Sequence, residues 1–334
     1  MGVTIAEIAE LAEVSVPTVS KVLNGRPGVS AETRDLVGAL LQEHGYVRRG
    51  GGPRRVGLVD FVITDLSTTW AHQLLIGAEA EAARAGVGLV VTSTHDRRAG
   101  NKHWIRQLAA RRSDGIVLVV SELHPGAEEE LARLHTPIVL IDSQGGADSH
   151  APIVAATNWS GGLAATEHLL QLGHRRIGII TGPERMAASR DRLDGYRAAL
   201  ARAGVPFDPD LVRYGDYRVS GGQAEGQRLL ELSDRPTAIF AGSDHQAHGV
   251  YLAAARVGLA IPRDLSVVGF DDVDICEWIA PSLTTVRQPL ADMAREATRL
   301  VLALGEEDAA SVPQRRELAT SLVMRRSTAP PRND

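Results

Sequence analysis

Along most of this chain, short unbroken apolar runs alternate with stretches in which apolar residues recur every three or four positions. The runs are Val56–Ile63, Val87–Thr92, Gly115–Val120, Ile138–Asp142, Ile177–Thr181, Ala238–Ala241 and Ser266–Phe270. Between them, Gln73–Ala85, Gly162–Leu172, Leu193–Ala203, Gly221–Leu232 and Ala247–Val257 carry helical spacing. Unbroken Val/Ile runs suit strands buried on both faces, and helices between them make βαβ units. This part of the chain is therefore expected to be α/β with parallel sheet. Roughly 280 residues is large for one such sheet, so two lobes are expected. Ligands of such folds bind at the carboxyl ends of the strands, which makes the residues just after each run the ones to inspect.

The N-terminal part has a different pattern. Residues 1–47 predict three short helices: Ile5, Ile8, Ala9 and Ala12 share one face, Val19, Val22 and Leu23 a second, and Leu36, Val37, Leu40 and Leu41 a third. Thr4, Ser15 and Ser30 stand where N-caps belong, with Pro17 in the first turn of the second helix and Glu32 in that of the third. The segment 48–55, Arg-Arg-Gly-Gly-Gly-Pro-Arg-Arg, allows no regular helix and reads as a linker. The expected organisation is a head at 1–47, a linker at 48–55 and a core at 56–334.

Composition narrows the function classes. Apolar residues at 44% and charged residues at 23% exclude a mainly disordered chain. No apolar stretch is long enough for a membrane-spanning helix. Acids interrupt the first apolar stretch, against a secretory signal, so a cytoplasmic location is expected. A single cysteine, Cys276, excludes an intrachain disulfide and a cysteine-based zinc site. The net charge of −5 argues against a uniformly basic nucleic-acid binder, yet residues 1–55 hold seven Lys/Arg against six Asp/Glu. Four of those cations, Arg48, Arg49, Arg54 and Arg55, fall in eight residues without an acid.

The first two helices of the head are spaced as a helix-turn-helix. In that motif the second helix enters the major groove, and its N-terminal residues reach base edges. Here those are Val16 and Pro17, followed one turn on by Lys21, with Ser15, Thr18, Ser20 and Asn24 placed to hold phosphates. Val16 and Pro17 offer no donor to a base, so they can meet only apolar edges such as a thymine methyl.

The string V-T-I-A-E-I-A-x-x-A-x-V-S-x-x-T-V-S-K-V-L-N, then V-S-x-x-T-R and G-Y, resembles the DNA-binding head of the LacI/GalR family of bacterial repressors. The resemblance adds Thr4, Ser30 and Arg34 to the expected DNA contacts. The turn before Val14 carries Glu13 where that family usually has glycine, and a positive φ there would be mildly strained. The family's short hinge helix, with its minor-groove leucine, has no counterpart, because about six residues are missing and Gly50–Gly52 disfavour a helix. The segment around Arg48 and Arg49 is either a minor-groove arm or a flexible basic linker.

The core continues the resemblance in A-T-N-W-S-G-G-x-x-A-T-E-H-L-L-x-L-G-H-R-R-I-G-I-I-T-G-P (156–183), R-L-D-G-Y-R-A-A-L (192–200), S-V-V-G-F-D-D (266–272) and P-S-L-T-T-V-R-Q-P (281–289). These resemble the sugar-binding core shared with periplasmic sugar-binding proteins, in which two Rossmann-like lobes close on a ligand. The implied fold is a small all-α helix-turn-helix head followed by an α/β core of two such lobes. Lobe 1 would comprise about 56–157 and 288–312, lobe 2 about 158–287 with a last strand near 317–325. By resemblance, Asn158, Arg192, Ser243, Asp271 and Gln288 match effector contacts, and Asp65 and Trp70 match a more variable loop. Asp244 and Trp278 are further candidates after their strands. A sugar needs paired donors and acceptors for its hydroxyls and an aromatic surface for its C–H face. Asp244 fits a helix cap equally well, and Trp70 and Trp278 fit core aromatics.

No nucleotide-phosphate loop, dinucleotide fingerprint or serine elbow is present, so no enzyme and no cofactor is expected. His245 and His248 have i,i+3 spacing, but no third ligand completes a metal pattern. The expected partners are double-stranded operator DNA, a small effector of sugar type and a second copy of the chain, with no membrane. The family implies dimer contacts near Gln73–Ala85 and Lys102–Ala110. A transport-type sugar-binding protein is the alternative from another class, and DNA binding discriminates the two. The C-terminal Ser327–Asp334 lacks heptads, so a coiled-coil tetramer is not expected.

Overall fold

The computed structural model describes residues 3–23, 28–44, 56–94, 103–119, 126–142, 151–305 and 313–332. They divide into two compact units, 1–55 and 56–334.

The first unit contains α1 (Ile5–Leu11), α2 (Val16–Leu23) and α3 (Ala31–Glu43). Thr4 and Glu7 form a capping box: the Glu7 amide donates to the Thr4 hydroxyl at 3.3 Å, and the Thr4 amide to the Glu7 carboxylate at 2.6 Å. Ile8, Ala9, Ala12, Val19 and Val37 close a small core. Leu36, expected on the inner face of α3, is half exposed. The contacts to α1 and α2 are made one step round the helix, through Val37, Leu40 and Leu41.

The second unit begins with β1 (Leu58–Ile63), α4 (Thr69–Arg84), β2 (Gly88–Ser93), α5 (His103–Arg111), β3 (Gly115–Val119), α6 (Ala127–Ala132), β4 (Ile138–Ile141) and β5 (Ile153–Ala156). It continues with α7 (Asn158–Gln171), β6 (Ile177–Thr181), α8 (Ala187–Arg202), β7 (Val212–Tyr214), α9 (Val219–Leu230), β8 (Ala238–Ala241), α10 (Asp244–Arg256), β9 (Ser266–Asp271), α11 (Ile275–Trp278) and β10 (Thr284–Arg287). It ends with α12 (Leu290–Leu304), β11 (Arg315–Leu318) and β12 (Ser321–Val323). Two six-stranded sheets result, ordered β11-β5-β4-β3-β1-β2 and β12-β10-β9-β8-β6-β7, parallel apart from the β10–β12 pair. Strand order reverses at β1/β3 in one lobe and at β6/β8 in the other, and such switch points open a crevice at the strands' carboxyl ends.

Several helices start a few residues before their apolar pattern does. Their first turns carry polar groups, such as Asn158 on α7 and Asp244 on α10, that the spacing alone leaves out. An acid also interrupts the first strand. Asp60 is fully buried on β1, where its carboxylate accepts from the Ser113 hydroxyl at 2.6 Å and from Arg111 Nε at 2.9 Å.

The end of the chain corrects the expected single strand near 317–325. Residues 315–318 pair with β5 in lobe 1, and only 321–323 join lobe 2 beside β10. The chain therefore recrosses between the lobes at Ala319–Thr320. There the Thr320 amide donates to the Thr157 hydroxyl at 2.9 Å, which joins this crossing to the one after β5.

Candidate functional site

In the head, the exposed start of α2 presents Val16, Pro17 and Lys21 to solvent. Ser15 caps the helix: its hydroxyl accepts from the Thr18 amide at 3.4 Å and lies 2.9 Å from the Thr18 hydroxyl. Ser30 repeats this on α3 with Thr33. The Thr4, Ser15, Thr18 and Ser30 hydroxyls thus have local partners that fix the helix starts, while Ser20 and Arg34 lie on α2 and α3. Glu13 adopts φ +52°, the left-handed turn conformation anticipated for it. Asn24, Arg48 and Arg49 lie outside the described residues.

In the core, the carboxyl ends of both sheets border a cleft with a cavity of 140 Å³ that opens to solvent. Of the expected effector residues, Asp65, Trp70, Arg192, Ser243 and Asp271 line it. Ile63, Val119, Ile141, Pro183, Met186 and Ala188 give it apolar wall.

Its polar floor centres on Arg192, which α8 carries in from lobe 2. The side chain is 4% exposed, donates Nε–H to Asn158 Oδ1 at 2.9 Å and Nη1–H to the Gly242 carbonyl, and lies 3.7 Å over the Phe270 ring. Asn158 in turn donates to Asp142 Oδ1 at 3.0 Å. Gln288 donates Nε2–H to Asp271 Oδ1 at 2.6 Å. Asn158 and Gln288 therefore stand behind the cavity wall and orient the groups that face it. Gln288 sits between β10 and α12, where the chain passes from one lobe to the other. Burial drives the Asp271 carboxyl well above the usual carboxylate range, against the pull of Arg192.

Asp142, Tyr217, Asp271 and Asp272 all have positive φ, at +53°, +63°, +123° and +61°. Strained backbone outside glycine clusters at ligand sites, where the surrounding fold over-determines it. Asp142, directly after β4, Tyr217, and Asp271, the last residue of β9, line the cavity, while Asp272 pairs with Arg287 and Arg325.

Two candidates are misplaced by the sequence. Trp278 is 70% exposed at the end of α11 and does not line the cavity, whereas Cys276 on the same helix is buried. Asp244 is wholly buried beneath the site, not in it. It accepts from the Thr285 hydroxyl at 2.5 Å and from the Val273 amide at 3.0 Å, tying α10 to the β9–α11 turn. The cap of α10 comes instead from Ser243, whose hydroxyl accepts from the Gln246 amide at 3.1 Å.

The sequence also missed residues that the fold brings in. Asp142 closes an apolar run and was counted with it. Tyr217 and Met186 sit on connections without a strand signal. Tyr217 is fixed by a 2.7 Å hydrogen bond between its hydroxyl and that of Ser189, and its ring fills the space a side chain on Gly182 would need. His245, noted only for its spacing from His248, lines the cavity. Among the described residues no group of three His, Cys, Asp or Glu side chains can hold a metal ion.

Comparison with known proteins agrees with this division. The profile "Bacterial regulatory proteins, lacI family" matches residues 4–49, and "Periplasmic binding protein-like domain" matches residues 166–328. The HTH-type transcriptional repressor CytR of Escherichia coli K12 is 33% identical over 305 residues, covering 90% of this chain and 89% of its own length. The ribose operon repressor of the same organism is 31% identical, covering 98% and 99%. A transcriptional regulator CelR–cellobiose complex superposes with a TM-score of 0.75 at 31% identity, covering 97% and 99%. The lac repressor dimer bound to operator and the anti-inducer ONPF gives 0.72 at 27% identity, covering 98% and 100%. A helix-turn-helix head joined to a two-lobed α/β core defines a transcriptional regulator, not an enzyme. The chain belongs to the lacI family of bacterial regulatory proteins.

Proposed function

We propose that the protein is a cytoplasmic homodimeric repressor whose grip on operator DNA is set by a small neutral sugar bound between the core lobes. The observation that carries this is the Arg192–Asn158–Asp142 chain beside Asp271 at a cavity that also has apolar wall from Ile63, Val119 and Ile141. The cavity thus offers donors and acceptors together with the aromatic rings of Trp70 and Tyr217, the latter 5.5 Å from the Arg192 guanidinium. Relatives in complex with cellobiose and ribose support a sugar.

In the head, Val16, Pro17 and Lys21 would face base edges, and Ser15, Thr18, Ser20, Asn24, Thr4, Ser30 and Arg34 the phosphates, with Arg48 and Arg49 following along the minor groove. A dimer places two such heads on a pseudo-palindromic site. Exposed Ile76 on α4 and Val91 on the edge strand β2 support contacts through that face of lobe 1.

The test is intrinsic fluorescence of the full chain titrated with ribose, glucose, cellobiose and cytidine. Saturable quenching by a sugar, lost in Trp70→Phe, supports the reading. Saturation by cytidine alone would replace the sugar with a nucleoside.

A further inference from the structure

The two lobes touch across the mouth of the cleft through a pair the sequence did not signal. Asp65 follows β1 in lobe 1, and Arg218 opens α9 in lobe 2. Arg218 Nη2 donates to Asp65 Oδ2 across 153 residues of chain. Both partners are held in place by their own loops. Asp65 Oδ1 accepts from the Ser67 amide at 2.9 Å, and the Arg218 amide donates to Asp216 Oδ1 at 2.9 Å. Beside them, Thr69 Oγ1 lies 3.5 Å from His245 Nε2, again lobe to lobe. Asp65, Tyr217 and His245 also line the cavity, so the pair closes the rim of the site itself.

We propose that Asp65–Arg218 is a clasp that biases the core toward its closed arrangement whether or not an effector is bound. Arg218 is a positioning residue: it holds the Asp65 loop, and with it Trp70 at the start of α4, over the cavity. The pair is partly exposed, with 27% of the Asp65 and 45% of the Arg218 side chain accessible. It therefore shifts the closed-to-open ratio modestly, about two- to five-fold, and less at high salt. A bias of that size sets how much of the effector's binding free energy is left to move the heads. It also takes Asp65 out of direct effector recognition and makes it a gatepost. The inference does not depend on which ligand the cleft accepts.

The test is a spin-label distance measurement on the ligand-free full chain, with labels on exposed Glu128 of lobe 1 and Glu184 of lobe 2. The wild type should show a dominant short distance. Arg218→Gln and Asp65→Asn should each move two- to five-fold more of the population to longer distances. The reversed pair, Asp65→Arg with Arg218→Asp, should recover most of the short population, and 1 M salt should abolish the difference. Distributions for Arg218→Gln that superimpose on the wild type at low salt would overturn the clasp. So would a reversed pair no better than the two single changes combined. Neither result bears on whether the cleft binds a sugar.

Discussion

Arg192 donates its Nε–H to the Asn158 side-chain carbonyl at 2.9 Å while its guanidinium lies 3.7 Å from the centre of the Phe270 ring. The planar group is thereby locked in two directions, which a lysine cannot reproduce. Arg192→Lys should weaken effector binding at least about tenfold, the scale of one lost charge-assisted hydrogen bond. It should also lower stability by roughly 3 kcal/mol, because Asn158 Oδ1 and the Gly242 carbonyl lose a buried charged donor. Calorimetric titration and urea unfolding check both. An unchanged effector affinity would remove Arg192 from the site.

The two tryptophans should separate cleanly. Trp70→Ala removes an aromatic wall of the cavity and should cost about tenfold or more in effector affinity. Trp278→Ala should leave it within about twofold, since that side chain stands in solvent. Equal losses in a side-by-side titration would return Trp278 to the site.

Arg192 also depends on a close helix crossing. A methyl group on Gly162 of α7 would lie 2.4 Å from the Arg192 carbonyl oxygen on α8. Backbone cannot yield as a side chain does, so Gly162→Ala should destabilise the core by about 1–3 kcal/mol. The urea midpoint measures it, and a midpoint equal to wild type would show that α7 and α8 separate freely.

Asp244 gives the core a signature in pH. Burial pushes its carboxyl up to about 6, from an ordinary 3.8. The folded state then holds this proton more tightly than the unfolded chain. The resulting stability is fully present below about pH 4 and is lost as pH rises through 6. Asp244→Asn removes this proton and should flatten that part of the profile. Unfolding free energies at pH 4 and 6.5 for both proteins test it, and parallel profiles would contradict it.

In the head, Glu13 holds a left-handed φ of +52°. That conformation costs an L-residue about 1–2 kcal/mol, partly offset because glycine loses more entropy on folding. Glu13→Gly should therefore stabilise the head by about 0.5–1 kcal/mol. Amide hydrogen exchange of α1 and α2 in the full chain should slow by a few-fold, whereas faster exchange would mean that Glu13 makes a stabilising contact.

What was legible in the sequence follows from what short-range spacing can encode. Ile177–Thr181 and Ala238–Ala241 were found residue for residue, because a strand buried on both faces is an unbroken apolar run. Asp271, put forward as the residue directly after such a run, lines the cavity. Trp278, put forward seven residues further on, does not, because the four-residue helix α11 intervenes. Asp142 hid as the last residue of its run. Arg218 and Asp65 are 153 residues apart, and only the docking of two lobes makes them neighbours. The split of 315–323 between both sheets was invisible for the same reason, since two strands separated by two residues read as one.

The proposed function makes the Arg192 floor of the core set how tightly the head holds DNA. Fluorescence anisotropy of DNA from the protein's own upstream region measures it, with the full chain and with Arg192→Ala, each with and without the sugar that quenches Trp70. Both proteins should bind equally tightly without sugar. Operator Kd should shift by at least about fivefold when sugar is added to the wild type, and not at all for Arg192→Ala. A wild-type Kd unmoved by saturating sugar, or an Arg192→Ala protein that responds at the same sugar concentration, would contradict the proposed function.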